Sequence, residues 1–521
     1  MSPARPSNGT SIRKRQGAEH LYVVRLKVCQ TEYFDQLADK RFALMNRFHN
    51  ILVRHARHLL NRLDHDVRYQ DLLLQYRKAE SGSPEAKHLA KQMNAIRSGI
   101  GLSEAGLQSY GAVWQRMHKD HISSQQMQKE ASRVYIGVEK VLFGNGQSLH
   151  FRKLGDMHTI CGKSPSNGIR FDRESMSFTW VGETFRVRMP DPDDLYMLSA
   201  LYPNGPEALR VSYCEMKRMM FGNGWHYYLN LYIKGIAPRK HAVGTGTCGI
   251  DPGVSTMAVS SETKVMLREL APRTKAYTQE QKHLLRRLDR SRRDSNPDSY
   301  SQDGTAKKGR RIRRKSQNCK SLERRYASLC RRKAVYIRQS HFCLANEILK
   351  DSNTVYAEHM DYKALQRRSK KPAERREKAS LVTDAKGKAK SIYKFRKKRR
   401  FGASLNSRAP SEFLAILKQK LADACGTYLE VDTRRYRASQ YDHAADTYTK
   451  VPLSQRSKTI GGHQVQRDAY SAFLIQHPNR TLDSPDRDAC IRDFEQFVYF
   501  MELEIRSLKA EGHSMPACFG F

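Results

Sequence analysis

A carboxylate at the end of an apolar strand constrains the fold of this chain more than any other sequence feature. Asp251 follows the apolar stretch Cys248-Gly-Ile, and a Pro252-Gly253 turn separates it from a second apolar run at residues 256–260. Burying a carboxylate costs on the order of several kcal/mol unless a cation satisfies it. The fold therefore has to bring a compensating group to this strand end.

Two further acids stand in similar surroundings. Glu358 ends the strand-like run Val355-Tyr-Ala, and Asp468 opens an apolar helical segment directly after Arg467. Two or three carboxylates brought together can hold two Mg²⁺ ions about 4 Å apart, which activate a water molecule and stabilise the leaving oxygen in phosphodiester hydrolysis. Hard oxygen ligands suit magnesium and need no His or Cys partner. We predict that Asp251, Glu358 and Asp468 are the catalytic and metal-binding residues.

Each acid also has a simpler interpretation. Taken singly, any of the three is a turn or cap residue, and Asp468 is a possible N-cap of its own helix. Asp488 is a second candidate for the third ligand, because it also stands in an Arg-Asp-Ala sequence at the start of a helical pattern. Asp468 is preferred because its helix is more apolar and hence more buried.

The charge balance points to a polyanionic partner. The chain has 521 residues, with 93 Lys and Arg against 53 Asp and Glu, which gives a formal charge of +40. So many positive charges repel one another unless a polyanion binds to the protein, and nucleic acid is the natural polyanion. The ten cysteines are scattered without any CxxC pair, and no apolar run is long enough to span a membrane. We expect a reduced, cytoplasmic protein with no zinc ribbon and no membrane association.

The N-terminal half is predicted to be a β-domain interrupted by helices. Residues 1–19 resemble a flexible basic tail, residues 20–32 hold a first strand, and residues 33–140 show helical periodicity. Residues 141–242 change to a period of two, with a hairpin expected around Gly182. Two sequential domains are the alternative.

The C-terminal half is predicted to be an α/β domain with helical and basic insertions at residues 243–440. Long basic helices are expected around residues 279–293 and 322–349, and a helix around 411–424. A metal-free, DNA-contacting loop is expected within residues 441–464, and C-terminal helices at 465–521. The predicted fold class is therefore α+β and multidomain.

Two basic runs are candidate nucleic-acid contacts. The first is expected to touch duplex backbone and comprises Arg310, Arg311, Arg313, Arg314 and Lys315. The second, interleaved with Tyr393, Phe395 and Phe401, combines stacking with phosphate contacts and comprises Lys394, Arg396, Lys397, Lys398, Arg399 and Arg400. A solvated charged loop is the alternative for the second run.

Five segments carry a resemblance to a known family. Gly-Ile-Asp-Pro-Gly-Val at residues 249–254 resembles the first motif of the RuvC nuclease domain in TnpB proteins and compact type V CRISPR effectors. Residues 357–360 and 465–475 resemble the second and third motifs, while 290–298 and 438–443 are similar to intervening segments. The motifs come in family order and span about half of the chain.

This resemblance implies an RNA-guided DNA endonuclease with a ribonuclease-H-like core. It implies that Asp251, Glu358 and Asp468 bind two Mg²⁺ ions, and that a guide RNA opens double-stranded target DNA into an R-loop. The N-terminal half is similar in architecture to the family's oligonucleotide-binding (wedge) β-barrel-like domain with a helical recognition insert, which reads a short target-adjacent motif.

One departure from the family concerns zinc. Residues 426–489 contain no cysteine, although many TnpB-like proteins carry a four-cysteine zinc ribbon before the third motif. His443 and His463 lack a thiolate partner there, and we expect no zinc. Two alternatives to the guided nuclease stay open: a guided DNA-binding repressor that does not cut, and a structure-selective nuclease without a guide. The sequence leaves the oligomeric state open.

Overall fold

The computed structural model divides into two compact units, Met1–Lys240 and His241–Phe521. It describes residues 21–144, 146–202, 210–222, 224–239, 241–302, 304–307, 314–366, 374–383, 389–395, 401–452, 454–510, 516 and 519–520. Within these residues, none of the helices combines the length and the apolar character that crossing a membrane requires. The fold class is mixed α+β.

In its described residues, unit 1 has two antiparallel sheets and six helices. Its strands are β1 (Leu21–Lys27), β2 (Thr159–Cys161), β3 (Ile169–Asp172), β4 (Ser177–Trp180), β5 (Glu183–Arg186), β6 (Val211–Phe221) and β7 (Gly224–Lys234). Its helices are α1 (Glu32–Asp64), α2 (Val67–Lys78), α3 (Pro84–Gly99), α4 (Glu104–Arg116), α5 (Ser124–Leu142) and α6 (Leu195–Leu201).

The first strand of unit 1 lies in the same sheet as the last. The four-stranded sheet has the order β1-β7-β6-β2, and five helices separate β1 from β2 along the chain. The smaller sheet has the order β3-β4-β5, and it contains the hairpin that the sequence predicts around Gly182. One hydrophobic core joins strands and helices, with Phe34, Phe178 and Trp180 fully buried.

The helical pattern predicted over residues 33–140 is interrupted between α4 and α5. Helix α4 ends at Arg116, and α5 begins after Ser123, whose side chain accepts a hydrogen bond from the Gln126 backbone. The Gln126 side chain in turn accepts one from the Ser123 backbone, which completes a capping box. This reciprocal pair of hydrogen bonds satisfies two backbone N–H donors at the start of a helix. A new helix, α5, therefore begins at Ser124.

Unit 2 is built around a five-stranded sheet of order β10-β9-β8-β11-β14. Its strands are β8 (Gly246–Pro252), β9 (Thr256–Ser261), β10 (Val265–Glu269), β11 (Ser352–Glu358), β12 (Glu374–Thr383), β13 (Ala389–Phe395), β14 (Thr427–Val431), β15 (Tyr441–Asp442), β16 (Thr447–Tyr448), β17 (Ser457–Ile460) and β18 (His463–Gln466). Strand β9 pairs antiparallel with both β10 and β8, whereas β11 pairs parallel with both β8 and β14.

The helices of unit 2 pack on both sides of this sheet and beyond it. They are α7 (Thr274–Asp294), α8 (Gln317–Leu349), α9 (Tyr362–Gln366), α10 (Gly402–Arg408), α11 (Pro410–Asp423), α12 (Thr433–Tyr436), α13 (Arg467–Gln476) and α14 (Arg487–Ala510). One core cluster joins the sheet to α8 and α11, and the other joins it to α13 and α14. The two long basic helices and the helix predicted around 411–424 are confirmed as α7, α8 and α11.

Hairpins occur in the segment expected to be a loop, 441–464, and in the basic segment for which a loop was the alternative. Backbone pairing joins β12 to β13 within the basic segment that follows Glu358. The segment 441–464 contains the pair β15–β16 and the first part of β17–β18. In this segment, His443 is buried against Phe494, at 4.6 Å between ring centroids, so the loop prediction was wrong there. Short paired stretches with few apolar residues give a weak period-two signal, which explains why the sequence pattern missed them.

Candidate carboxylate site

Asp251 and Glu358 lie at the carboxyl-terminal ends of two neighbouring parallel strands, β8 and β11, and therefore at the same edge of the sheet. Ala357 of β11 pairs with Ile250 of β8, so the next residue of each strand is one of the two acids. Side chains that follow the carboxyl ends of adjacent parallel strands lie close together. Both carboxylates are partly buried. The strand pairing thus places side by side two acids that are 107 positions apart in the sequence.

Asp468 reaches this edge from helix α13, which lies on β8. Gly249 makes the close approach possible, because a Cβ atom there would lie 2.2 Å from the carbonyl oxygen of Ala472 and from the backbone nitrogen of Gln476. Every α13 residue from Ala469 to Gln476 is buried. The first turn of α13 therefore presents Asp468 toward the carboxyl end of β8.

The three acids interact electrostatically. Burial raises the pKa of Asp251 well above its usual range, and the neighbouring carboxylates Glu358 and Asp468 raise it further. The Arg467 guanidinium group lowers the pKa of Asp251. Burial likewise raises the pKa of Glu358, against a lowering by a hydrogen bond from Thr433. Such shifts mark acids whose charge lacks full compensation.

Arginine side chains hold Asp468. The Nη2 atom of Arg467 lies 2.9 Å from Asp468 Oδ1, and Nη1 of Arg456 lies 3.9 Å from Oδ2. Asp468 is not the N-cap of its helix, since the Gln466 side chain accepts the hydrogen bond from the Ala469 backbone at 2.6 Å. The cap interpretation of Asp468 was therefore wrong.

Asp488 stands apart from the other acids. It is exposed in the first turn of α14, where the neighbouring Asp486 side chain accepts a hydrogen bond from the Ala489 backbone at 3.1 Å. The carboxylates that raise the pKa of Asp251 are Glu358 and Asp468. The structure thus brings together the three acids preferred from the sequence.

Several neighbours of the site gave no sequence signal. Tyr362 is buried, its hydroxyl group donates to the Gly253 carbonyl at 3.5 Å, and the charges of Asp251 and Glu358 raise its pKa beyond the effect of burial. Glu430 of β14 accepts from the His359 ring at 2.6 Å and also pairs with Lys418. Glu430 lies in β14, which pairs with β11, and no sequence motif singles it out.

The donor chemistry of the three acids fits a divalent cation. Carboxylate oxygens are the ligands that Mg²⁺ prefers, and a cation would relieve the repulsion from Glu358 and Asp468 that contributes to the raised pKa of Asp251. Among the residues that the structure describes, no three His, Cys, Asp or Glu side chains are arranged to hold one ion together. The Asp468 carboxylate is paired with Arg467 and Arg456 in this structure.

The basic runs are only partly within the described structure. Arg310, Arg311, Arg313, Arg396, Lys397, Lys398, Arg399 and Arg400 lie outside the described residues, as does the side chain of Lys394. Lys315 pairs with Glu323 at 2.7 Å, and the Arg314 backbone exchanges hydrogen bonds with the Asn296 side chain. The nucleic-acid role of both runs stays a prediction.

The two histidines considered for a metal have other partners. Nδ1 of His443 lies 2.8 Å from the Tyr470 hydroxyl oxygen, and burial lowers the pKa of His443. His463 lies 3.2 Å from Glu495.

Comparison with known proteins gives structural likenesses only. No protein-family profile matches the chain, and no curated protein sequence matches it. A cryo-EM structure of a Cas12f1–sgRNA–target DNA complex aligns with a TM-score of 0.43 at 11% identity, over 88% of this chain and 99% of that one. A cryo-EM structure of a CRISPR–Cas12f ternary complex has the same identity and coverage with a TM-score of 0.23. Both scores are low, so neither likeness by itself assigns a fold family or a function to this chain.

Proposed function

We propose that this chain is an RNA-guided DNA endonuclease that hydrolyses phosphodiester bonds at Asp251, Glu358 and Asp468. The observation that carries the proposal is the pairing of β8 with β11, which sets Asp251 beside Glu358 at the edge that α13 approaches with Asp468. A mixed five-stranded sheet with acids at its parallel strand ends supports the ribonuclease-H-like core that the motifs imply.

Asp251, Glu358 and Asp468 would hold the magnesium ions. When bound, two Mg²⁺ ions supply an activated water molecule and stabilise the leaving oxygen. The protein's own residues set the conditions for this chemistry. Partial burial raises the pKa values of the two strand-end acids, so each carboxylate gains more from a cation than an exposed one would.

The neighbouring residues position the acids. Gly249 lets α13 approach β8 closely enough to bring Asp468 to the site. Arg467 and Arg456 hold the Asp468 carboxylate, and Arg467 partly offsets the charge around Asp251. The Tyr362 ring is buried beside the turn that follows Asp251, where its hydroxyl group contacts Gly253.

The guided character of the proposed nuclease rests on the ordered motifs and on charge. A formal charge of +40 suits a protein that shares its surface with RNA and DNA. One of the two structural likenesses is with a Cas12f1 complex that contains sgRNA and target DNA, which is consistent with the proposal but does not carry it.

One experiment separates the proposed function from its alternatives. The protein would be expressed with its flanking genomic DNA, the copurifying RNA sequenced, and cleavage of a matching plasmid assayed with Mg²⁺. We expect bound RNA and cutting that Asp251→Asn abolishes while target binding persists. The matched control is Asp488→Asn, an exposed acid near α13 in sequence, which should cut like the unmodified protein.

Each alternative predicts a different result. Target binding without Mg²⁺-dependent cutting would indicate the repressor, and cutting without copurified RNA would indicate the structure-selective nuclease. Undiminished cutting by Asp251→Asn would contradict the site assignment itself.

A further inference from the structure

The base of the hairpin β17–β18 places two arginines beside Asp468. The two strands pair antiparallel, with Ser457 opposite Gln466. Just beyond this pair, the Arg467 backbone nitrogen donates to the Arg456 carbonyl oxygen at 2.9 Å. The two arginines therefore lie opposite each other in the backbone, and Asp468 follows Arg467 in the first turn of α13.

The two arginines hold Asp468 in different ways. Arg467 makes two hydrogen bonds to Asp468 Oδ1, at 3.1 Å from its Nε atom and 2.9 Å from its Nη2 atom. Nη1 of Arg456 lies 3.9 Å from Asp468 Oδ2, which is beyond hydrogen-bond length. The Arg467 contact is thus fixed by its own hydrogen bonds. The Arg456 contact is a charge pair, so it depends on what confines the Arg456 side chain.

The chain after α14 confines that side chain. Gly520 has a φ of +80°, and a Cβ atom on it would clash with Cβ of Arg456 and lie 3.1 Å from its Cγ atom. The backbone of Gly520 is therefore packed directly against the aliphatic part of Arg456. Only 29% of the Arg456 side chain remains exposed.

Phe519 attaches this part of the chain to the protein. Its side chain is 3% exposed and belongs to the core cluster that joins β17 and β18 to α13 and α14. The Phe519 backbone nitrogen donates to the Pro516 carbonyl oxygen at 2.9 Å. One buried aromatic ring therefore anchors the backbone that packs on Arg456. We call Pro516, Phe519 and Gly520 together the Phe519 segment.

We propose that the Phe519 segment positions Arg456 against Asp468 and thereby sets the magnesium affinity of the carboxylate site. A guanidinium group beside Oδ2 and a magnesium ion on the same carboxylate repel each other, because both are cations. When the segment is docked, the charge of Arg456 opposes the ion. When the segment is released, the Arg456 side chain is free to turn into solvent, and the ion binds more tightly. Phe519, Gly520 and Arg456 are thus positioning residues that act through Asp468.

This inference rests on the proposed magnesium site, and its test measures metal binding instead of cutting. Full-length protein, freed of nucleic acid at high salt and of metal with EDTA, would be dialysed and titrated with Mg²⁺ by calorimetry at pH 8. Phe519→Ala should bind Mg²⁺ about fivefold more tightly, because Arg456 is no longer confined. Its melting temperature should fall, because a buried ring is lost. A residue with only a structural role would lose stability without any gain in affinity.

Two glycines provide a matched pair of variants. Gly520→Ala displaces the Arg456 side chain and should also tighten Mg²⁺ binding. Gly462→Ala is the control, because Gly462 has a similar positive φ of +86° but a Cβ atom there meets nothing within 4 Å. Its Mg²⁺ affinity should equal that of the unmodified protein. Phe519→Leu keeps an apolar anchor and should restore most of the original affinity.

A double variant tests whether the Phe519 segment acts through Arg456. Arg456→Met removes the charge and should tighten Mg²⁺ binding at least as much as Phe519→Ala does. When Phe519→Ala is added to Arg456→Met, the affinity should change no further, although the melting temperature should still fall. An additional change in affinity would show that Phe519 acts by another route and would overturn the inference.

The remaining results separate this inference from the proposed function. Unchanged or weaker Mg²⁺ binding by Phe519→Ala and Gly520→Ala, together with loss of binding in Asp251→Asn, would overturn the role of the Phe519 segment and leave the metal site standing. Mg²⁺ binding by Asp251→Asn as tight as that of the unmodified protein would place the metal elsewhere. In that case the site assignment and the role of the Phe519 segment would both fail.

Discussion

Gly249 of β8 and Ala472 of α13 are packed so closely that a Cβ atom on the glycine would lie 2.2 Å from the alanine carbonyl oxygen. The opposing atom belongs to a helix backbone, which cannot rotate away as a side chain does. This contact sets the distance between α13 and the sheet, and with it the position of Asp468 relative to Asp251.

Substituting Gly249 should therefore reduce both stability and cutting. For Gly249→Ala we expect the free energy of unfolding to fall by about 3 kcal/mol, at the upper end for overpacked cores, because α13 has to move. Urea denaturation of the full chain would measure it. Gly402→Ala is the matched control, since a Cβ atom there meets no atom within 4 Å. Equal stability of the two variants would contradict the packing argument.

The strand-end acid should destabilise the metal-free protein at neutral pH. Because the folded-state pKa of Asp251 is raised, the folded protein holds this proton more tightly than the unfolded chain does. The stability contributed by the protonated form is therefore lost as pH rises from the usual aspartate range through the raised pKa. In EDTA at pH 7, Asp251→Asn should raise the free energy of unfolding by about 1–2 kcal/mol. The melting temperature should rise with it. A lower melting temperature than that of Asp488→Asn would contradict this.

Magnesium binding should strengthen with pH and release protons. Asp251 and Glu358 have to be deprotonated to bind the cation, and both pKa values are raised. Calorimetry in buffers of different ionisation enthalpy should show proton release that declines as pH increases past the raised pKa values. Mg²⁺ at a hundred times its dissociation constant should stabilise the protein by about 2.7 kcal/mol. Proton release that persists unchanged in Asp251→Asn would place the metal elsewhere.

Arg467 should tune this pH dependence. Its guanidinium group lowers the pKa of Asp251, so Arg467→Met should move the midpoint of magnesium binding to higher pH. Arg467→Lys keeps the charge and should restore part of the shift. Thermal melting of both variants would check their folding, because Arg467 is buried and also bonds to the Gln455 carbonyl. Identical pH midpoints for the Met and Lys variants would show that charge is not the cause.

The Tyr470 hydroxyl group should stabilise the segment that follows β14. It lies 2.8 Å from Nδ1 of His443 and accepts from the His443 backbone nitrogen at 3.2 Å. Tyr470→Phe leaves two buried polar atoms unsatisfied and should cost about 1–3 kcal/mol in urea denaturation. Tyr448→Phe, at a tyrosine that is 38% exposed, is the control and should change stability by less than about 0.5 kcal/mol.

The sequence predicted the strand-end acids because their signal is local. An apolar run that ends in a carboxylate before Pro252-Gly253 marks Asp251, and a similar run marks Glu358. The parallel pairing of β8 and β11, which places the two acids together, follows from tertiary structure. The order of the motifs predicted that Asp251 and Glu358 lie close together, whereas the spacing of the residues alone did not.

The features that the sequence did not predict depend on contacts between segments that are distant along the chain. Nothing around Tyr362 in the sequence distinguishes it from an ordinary helix residue, yet its hydroxyl group contacts the turn that follows Asp251. Likewise Glu430 pairs with His359, the residue after Glu358. The stacking of Tyr213 on Tyr232 has the same origin, because the two rings meet only through the register of β6 and β7. The hairpin β12–β13 was hidden by its high charge, which obscures a period of two.

The enclosure of α13 limits how Asp468 can adjust. From Ala469 to Gln476 the helix is buried on all of its faces, with β8 and β9 on one side and α14 on another. A helix so enclosed cannot slide or roll without opening the core around it. Asp468 is thus left with two degrees of freedom, the torsions χ1 and χ2 of its own side chain. In the proposed nuclease, any movement that brings Asp468 to a cation would therefore be a rotation of this side chain and not a shift of its helix.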